Sequence, residues 1–97
     1  MLGLLLRNGG TVCDDLFDYY SAEAICRVMG YNGQTSWTSR YSWSIQSTYD
    51  IKLDNVDCNN FDWDDCSFST SHNCGHSEDV FLECYRFGEN VIYSSKL

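Results

Sequence analysis

The sequence predicts one small α+β domain held together by disulfide bonds, and three observations support this. The chain has 97 residues, the length of a single domain with a modest hydrophobic core. Six residues are cysteine, and an even number in so short a chain indicates cross-links formed in an oxidising compartment. One helix pattern lies among short strand patterns, with no internal repeat or linker-like tract. We therefore expect residues 1–97 to form one domain, while the cysteine count alone leaves the pairing open.

A β-hairpin is the first predicted element. Residues 4–7 and 11–13 flank Asn8-Gly9-Gly10. An Asn-Gly pair supplies the positive φ angles that a tight turn between antiparallel strands requires.

The single helix signal begins at Ser21, whose hydroxyl can cap the first turn, with Glu23 placed favourably for the helix dipole. Gly30 follows as a left-handed stop. One broad face carries the apolar residues Ala22, Ile25, Cys26, Val28 and Met29. A helix this short needs packing to persist, and a disulfide from Cys26 could supply an anchor.

The remaining chain alternates predicted loops with short strands. Residues 31–50 predict a long surface loop, in which Tyr41, Trp43 and Ile45 alternate as in an irregular strand. Aromatic residues in such a loop suit recognition, and they equally suit covering a small core. Residues 51–56 and 80–82 predict strands, and residues 57–76 predict a polar loop.

The charge of the chain excludes some partners. Fourteen acidic and six basic residues give a net charge of −8. Nucleic acids and anionic membranes require clusters of Lys and Arg, so we expect neither as a partner. The longest apolar run, near Leu4-Leu5-Leu6, is far shorter than the roughly 20 residues of a membrane span. Acidic clusters suit hard cations, which take oxygen ligands, and a net charge also favours solubility.

Four motifs, in order along the chain, resemble the scavenger receptor cysteine-rich family. They are Gly10-Thr11-Val12-Cys13-Asp14-Asp15, Ile25-Cys26-Arg27-Val28-Met29-Gly30, Leu53-Asp54-Asn55-Val56-Asp57-Cys58 and His72-Asn73-Cys74-Gly75-His76-Ser77-Glu78-Asp79. The resemblance covers roughly residues 3–84. It implies a curved antiparallel β-sheet that cradles one α-helix.

The resemblance also implies the disulfide pairs, which are Cys13–Cys74, Cys26–Cys84 and Cys58–Cys66. Tyr31 stands where an eight-cysteine subgroup carries a cysteine, so the chain resembles the six-cysteine, group A-like subgroup.

The chain departs from the family pattern at both ends. The family's strand before residue 3, and its tryptophan between the hairpin turn and Gly10, are absent. Residues 85–97 extend beyond the last cysteine. We hypothesise that residues 90–93 add a strand in place of the missing one, so that truncation after Cys84 lowers stability.

Candidate metal ligands follow from the resemblance residue by residue. One cation site is implied at Asp14, Asp15 and Glu78, and a second at Asp15, Asp54 and Asn73. Carboxylate and amide oxygens suit Ca²⁺, or Mg²⁺ with more retained water. Asp57, Asp62, Asp64 and Asp65 fall outside these sites and are interpreted as a solvated acidic face.

Two other kinds of chemistry are disfavoured. Histidine and cysteine can bind zinc, and the chain carries His72, Cys74 and His76 close together. Their spacing is unlike that of a zinc finger, and the cysteines have better partners in disulfide bonds. Ser77 and His76 are adjacent, so they are poorly placed as nucleophile and base, and no oxyanion-donor pattern is visible. We therefore expect a binding module and not an enzyme.

The sequence supports two functional hypotheses for an extracellular domain, secreted or part of a receptor ectodomain. In the first, bound Ca²⁺ bridges to polyanionic or microbial surface ligands. In the second, the domain is a cation-independent adhesion or accessory module that binds a protein through Trp37, Tyr41 and Trp43. Several linked copies would raise a weak affinity in either case.

Overall fold

A computed structural model describes residues 3–7, 9–39, 50–86, 89–90 and 95–96. The strands are β1 (Gly3–Arg7), β2 (Gly10–Val12), β3 (Gly33–Thr38), β4 (Asp50–Cys58), β5 (Cys66–Ser69), β6 (Phe81–Arg86), β7 (Glu89–Asn90) and β8 (Ser95–Lys96). One α-helix, α1 (Tyr19–Val28), and two 3₁₀ helices, Trp63–Asp65 and His76–Glu78, complete the described elements. The predicted α+β class is confirmed.

The strands form one curled sheet in the order β3-β6-β1-β2-β4-β5, with β7 beside β6 and β8 beside β1. The predicted hairpin is confirmed, because β1 and β2 are antiparallel with Arg7 opposite Gly10, and Gly9 has a φ of 79°. The sheet is mixed, since β2 runs parallel to β4 and β8 runs parallel to β1.

Helix α1 begins two residues before the predicted start. Its N-cap is Asp18, whose extended backbone places Oδ1 as an acceptor for the Ser21 backbone N–H at 3.1 Å. The prediction of Ser21 as the cap was wrong, because the Ser21 hydroxyl is buried and donates to the Val56 carbonyl of β4 at 2.9 Å. The predicted stop is confirmed, with Gly30 at a φ of 94°.

The buried face of α1 packs on the sheet through Ala22, Ile25 and Cys26. Val28 was wrongly placed on that face, since its side chain is 51% exposed. Each residue turns the helix by about 100°, so Val28 is about 300° from Ile25, which is equivalent to about 60° in the opposite sense. This rotation takes Val28 away from the sheet. Glu23 is also buried, where it bonds to Arg27 and to the Gln34 backbone N–H instead of only facing the helix dipole.

Two predicted loops contain strands. Residues 33–38 form β3, which is antiparallel to β6 and places Trp37 opposite Leu82. Residues 66–69 form β5, which is antiparallel to β4. Both strands are largely polar, so their backbone pairing with a neighbouring strand outweighs their weak sequence pattern. The irregular strand predicted through Tyr41, Trp43 and Ile45 lies outside the described residues.

Three disulfides connect the elements: Cys13–Cys74, Cys26–Cys84 and Cys58–Cys66. These are the pairs that the resemblance implied. The second attaches α1 to β6, and the first attaches the end of the hairpin to the segment before His76–Glu78. Residues 91–93 of the hypothesised C-terminal strand lie outside the described residues, and Asn90 pairs with β6 in β7.

Candidate cation site

The segment after β2 carries the first two candidate ligands, and neighbours on both sides hold its backbone. The Cys13 N–H donates to the Leu53 carbonyl at 2.9 Å. The Asp14 N–H donates to the Glu78 carbonyl at 3.0 Å. These bonds bring residues far apart in the chain to one end of the sheet.

Four carboxylates meet there, and Asp15 belongs to both groups that they form. Asp14, Asp15 and Glu78 each place one carboxylate oxygen so that all three lie within 4.8 Å of one another. Asp15 and Asp54 place theirs within the same distance of each other. Cys13 and Cys74 border these groups, but their sulfurs are bonded to each other and are not thiolates. The structure therefore brings together all four predicted acidic ligands.

Hydrogen bonds orient three of the carboxylates. The Ser39 hydroxyl donates to Asp14 Oδ2 at 2.7 Å, and the Gly75 N–H donates to Glu78 Oε2 at 3.0 Å. Asp54 is only 2% exposed, and its Oδ1 accepts the Asn55 N–H at 2.7 Å. Polar bonds therefore limit the positions that these side chains can take.

The backbone is left-handed at the residues that follow two of the acids. Leu16 follows Asp15 with a φ of 62°, and Asn55 follows Asp54 with a φ of 54°. Asparagine tolerates this left-handed region, but leucine rarely adopts it, at a cost on the order of 1 kcal/mol. Such strain persists where surrounding contacts enforce it, here beside the carboxylate cluster.

The surroundings of Asp15 within the cluster raise its pKa. Desolvation raises the pKa of Asp15 above its usual value, and the charge and hydrogen bond of Asp54 raise it further. The charges of Glu78 and Asp14 act in the same direction. A cation among these oxygens would relieve the repulsion, because an opposite charge stabilises ionised carboxylates.

Asn73 is held near the cluster through its chain neighbour. Cys74 Sγ lies 3.6 Å from Asp15 Oδ2 and 3.8 Å from Asn73 Oδ1. The Cys13–Cys74 disulfide thus places the exposed Asn73 amide on the side of the domain that carries Asp15. The donor set consists of oxygen atoms from carboxylates and one amide, which is the chemistry that Ca²⁺ binds.

A buried polar network lies beside the site and was not predicted. His76 Nδ1 is 3.0 Å from Asp79 Oδ2 and 3.5 Å from Thr11 Oγ1. Burial raises the pKa of Asp79, while hydrogen bonds from Thr11 and His76 oppose this rise. Sequence alone gave no signal, because the network depends on Cys13 pairing with Asp79 across the sheet. The Cys13–Cys74 disulfide occupies Cys74, so the disfavoured zinc set loses that ligand.

The residues of the alternative binding loop are only partly described. Trp37 is half-buried in β3, and its ring centroid lies 4.8 Å from that of Phe17 in an edge-to-face contact. Trp37 therefore covers the core at this position. Tyr41 and Trp43 lie outside the described residues.

Comparisons with known proteins place these features in a family. A model of the scavenger receptor cysteine-rich domain matches residues 4–85. Lysyl oxidase homolog 2 of Xenopus laevis is 41% identical over 81 residues, which cover 77% of this chain and 10% of that protein. The same protein of Xenopus tropicalis is 40% identical over 81 residues, with the same coverage. The chain thus spans about a tenth of these curated relatives.

Solved structures agree with this match. The scavenger receptor cysteine-rich domain of mouse MARCO, in a dimeric form, has a TM-score of 0.66 and 35% identity, covering 87% of this chain and 86% of that one. The third such domain of murine neurotrypsin has a TM-score of 0.61 and 35% identity, covering 81% and 78%.

These domains are non-catalytic ligand-binding modules, found extracellularly in receptors and secreted proteins. No helix in the described part of the chain has the length and apolar character needed to cross a bilayer. The family match, the shared fold and the three disulfides lead to one conclusion: the chain belongs to the scavenger receptor cysteine-rich domain family.

Proposed function

We propose that this domain recognises anionic ligands, such as those on microbial surfaces, through bound Ca²⁺. Asp14, Asp15 and Glu78 would hold one ion, and Asp15, Asp54 and Asn73 a second. The observation that carries the proposal is the convergence of four carboxylates from three separate segments around Asp15.

The ion explains how an acidic domain could bind an anion. The chain has a net charge of −8, so its bare surface repels polyanions. Calcium takes six to eight oxygen ligands, more than either group of side chains supplies. The positions left open would accept water or a ligand's carboxylate, sulfate or phosphate oxygen. Mg²⁺ also prefers oxygen but keeps more of its water, and so it would present a weaker bridge.

The expected affinity matches an extracellular setting. Extracellular calcium modules bind the ion with dissociation constants on the order of 10⁻⁴ to 10⁻³ M. Three disulfides suit the same compartment, in a secreted protein or a receptor ectodomain. Several linked copies would strengthen binding to a repetitive surface by about 10²- to 10⁴-fold.

Calorimetric titration of the oxidised domain with Ca²⁺ tests the proposal. We expect saturable binding that Asp15→Ala abolishes, because Asp15 belongs to both groups of ligands. Asp50→Ala is the matched control, since Asp50 is an exposed carboxylate outside both groups of ligands that pairs with Lys52 at 3.6 Å. A correctly folded parent that takes up no Ca²⁺ at millimolar concentrations would refute the mechanism.

A second candidate is a cation-independent protein-binding accessory module. The curated relatives favour it, because lysyl oxidase homolog 2 is about ten times longer than the matched region. The loop containing Trp37, Tyr41 and Trp43 would then form the contact. Chelation separates the two functions: it should abolish ligand capture through calcium and leave capture through this loop intact.

A further inference from the structure

A groove of about 530 Å³ lies between α1 and the loop that joins β4 to β5. Arg27 and Val28 of α1 form one wall, and residues 60–65 form the other. We call it the acidic aromatic groove. It shares no residue with the candidate cation site, so any ligand it holds would bind independently of calcium.

Two aromatic residues, Phe61 and Trp63, line the groove, and each stacks on a second ring outside it. Phe61 stacks on Tyr20 with ring centroids 5.4 Å apart, and Trp63 stacks on Phe68 at 5.5 Å. Tyr20 and Phe68 are each 44% exposed. Exposed aromatic clusters on a small soluble domain mark interaction sites, because leaving them in water forfeits the free energy of burial.

The groove also carries an excess of negative charge. Asp62, Asp64 and Asp65 are exposed along it, each contributing one charge. Arg27, the one cation among the described residues that line it, is neutralised by the buried Glu23, whose Oε2 lies 2.9 Å from Arg27 Nε. Three negative charges are therefore left for a ligand.

The groove already holds one guanidinium on an aromatic face. The Arg27 guanidinium carbon lies 4.9 Å from the centroid of the Phe61 ring. An aromatic face attracts a cation through its quadrupole, and arginine adds planar stacking that lysine lacks. The same chemistry is available to a ligand at the Trp63–Phe68 pair, with carboxylates beside it.

A disulfide and hydrogen bonds restrict the conformation of the loop that carries these residues. The Cys58–Cys66 disulfide closes it, and Asn60 Nδ2 donates to Asp65 Oδ2 at 3.0 Å. Asp62 Oδ1 accepts the Asp64 N–H at 3.1 Å. A loop held in its binding shape loses little entropy when a partner docks.

We propose that the acidic aromatic groove binds an arginine-containing basic segment of a partner protein. The guanidinium groups of that segment stack on the pair formed by the half-buried Trp63 and the exposed Phe68, and they pair with Asp64 and Asp65. Anionic membranes and nucleic acids are excluded by the charge of the groove, which repels phosphates.

Nuclear magnetic resonance titration of the oxidised 97-residue domain tests this proposal. The probe is a blocked tetra-arginine peptide, added in saturating Ca²⁺, with tetra-lysine and tetra-glutamate for comparison. We expect chemical-shift changes at the Trp63 indole and the backbone amides of residues 60–65. Tetra-lysine should bind more weakly than tetra-arginine, and tetra-glutamate should leave the groove unchanged.

Matched variants separate the groove from general attraction to an acidic domain. Asp64→Asn should weaken tetra-arginine binding about two- to fivefold, the effect of one exposed ion pair. Asp64 is chosen because its carboxylate neither caps the 3₁₀ helix nor accepts from Asn60. Glu83→Gln removes one charge from β6 and keeps the acceptor for the Thr35 hydroxyl, so it should leave the affinity unchanged.

Three results would overturn the proposal. They are the absence of shift changes at the groove, changes centred on the carboxylates around Asp15, and equal weakening by Asp64→Asn and Glu83→Gln. None of them bears on the Ca²⁺ titration of the parent domain, so this proposal and the calcium mechanism fail separately.

Discussion

At the scale of single residues, Asp15 is the carboxylate that the two groups of the candidate cation site share. The strained Leu16 follows it. Desolvation and three neighbouring acids raise its pKa. A group held in this way is costly to ionise without a counter-ion, and it becomes favourable when a divalent ion is present.

Replacing this residue should therefore have opposite effects with and without calcium. The folded pKa of Asp15 is raised, so its contribution to stability is full below the unfolded pKa and is lost as pH rises through the folded pKa. In a chelator at neutral pH, Asp15→Asn removes this penalty and should stabilise the domain by about 0.5 kcal/mol, or ~2–4 °C. In excess Ca²⁺ the parent should be the more stable protein, because only it gains binding energy.

Thermal melts of both proteins in chelator, from strongly acidic to neutral pH, measure this difference. The advantage of Asp15→Asn should disappear at acidic pH, where Asp15 is protonated. Asp50→Asn serves as a control for loss of one negative charge. A lower melting temperature for Asp15→Asn in chelator at neutral pH would contradict the assignment of repulsion to Asp15.

At the scale of elements, α1 is fixed at its start by a cap and along its length by polar bonds to the sheet. Asp18 caps it, and Ser21 donates to Val56 of β4. Glu23 accepts the Gln34 N–H of β3 at 2.8 Å. These bonds explain how a ten-residue helix, too short to persist alone, is held against two strands.

Removing the cap should destabilise the domain without changing its fold. Asp18→Ala leaves the Ser21 N–H without its acceptor and should cost about 1 kcal/mol of unfolding free energy. Asp18→Asn keeps an acceptor and should cost much less, although it removes the same charge. Urea denaturation of the two variants measures the difference. Equal losses would show that charge, and not capping, is responsible.

Strand β3 shows why element prediction failed in the middle of the chain. Its sequence, Gly33 to Thr38, is polar and has no clear alternation. The strand forms because its backbone pairs with β6 and because Trp37 packs on Phe17. Both contacts join residues distant in sequence, so no local pattern reports them.

At the scale of the whole molecule, disulfides determine which surfaces meet. Cys13–Cys74 and Cys26–Cys84 join residues 61 and 58 positions apart, whereas Cys58–Cys66 closes a separation of 8. Each long-range disulfide lowers the entropy of the unfolded chain and so raises its free energy by about 4 kcal/mol. The short loop raises that free energy by ~2–3 kcal/mol. The Cys13–Cys74 bond also holds the two halves of the cation site together.

Loss of this bond should therefore affect calcium binding, whereas loss of the short one should not. In the double variant Cys13→Ala/Cys74→Ala, added Ca²⁺ should no longer raise the unfolding free energy. In Cys58→Ala/Cys66→Ala, the Ca²⁺-dependent increase should persist on a less stable domain. Chemical denaturation with Ca²⁺ and with chelator measures both, after circular dichroism has shown that each variant folds. Equal Ca²⁺-dependent increases in the two variants would contradict the proposed site.

Features that depend on near neighbours and on spacing could be predicted from the sequence. The Asn8-Gly9 turn, the single helix with its stop at Gly30, and the family motifs around the cysteines are all readable from short segments. The disulfide pairs and the four acidic candidates followed from the resemblance that those motifs carry.

Contacts between distant residues became visible in the folded chain. It brought Asp54 to Asp15, joined Thr11, His76 and Asp79 in a buried network, and placed residues 60–65 beside α1. Three of the four residues interpreted as a solvated acidic face, Asp62, Asp64 and Asp65, lie in one wall of the acidic aromatic groove. The physical reason is that local sequence limits the backbone of each segment, whereas burial, strand pairing and disulfides act between segments that the sequence keeps apart.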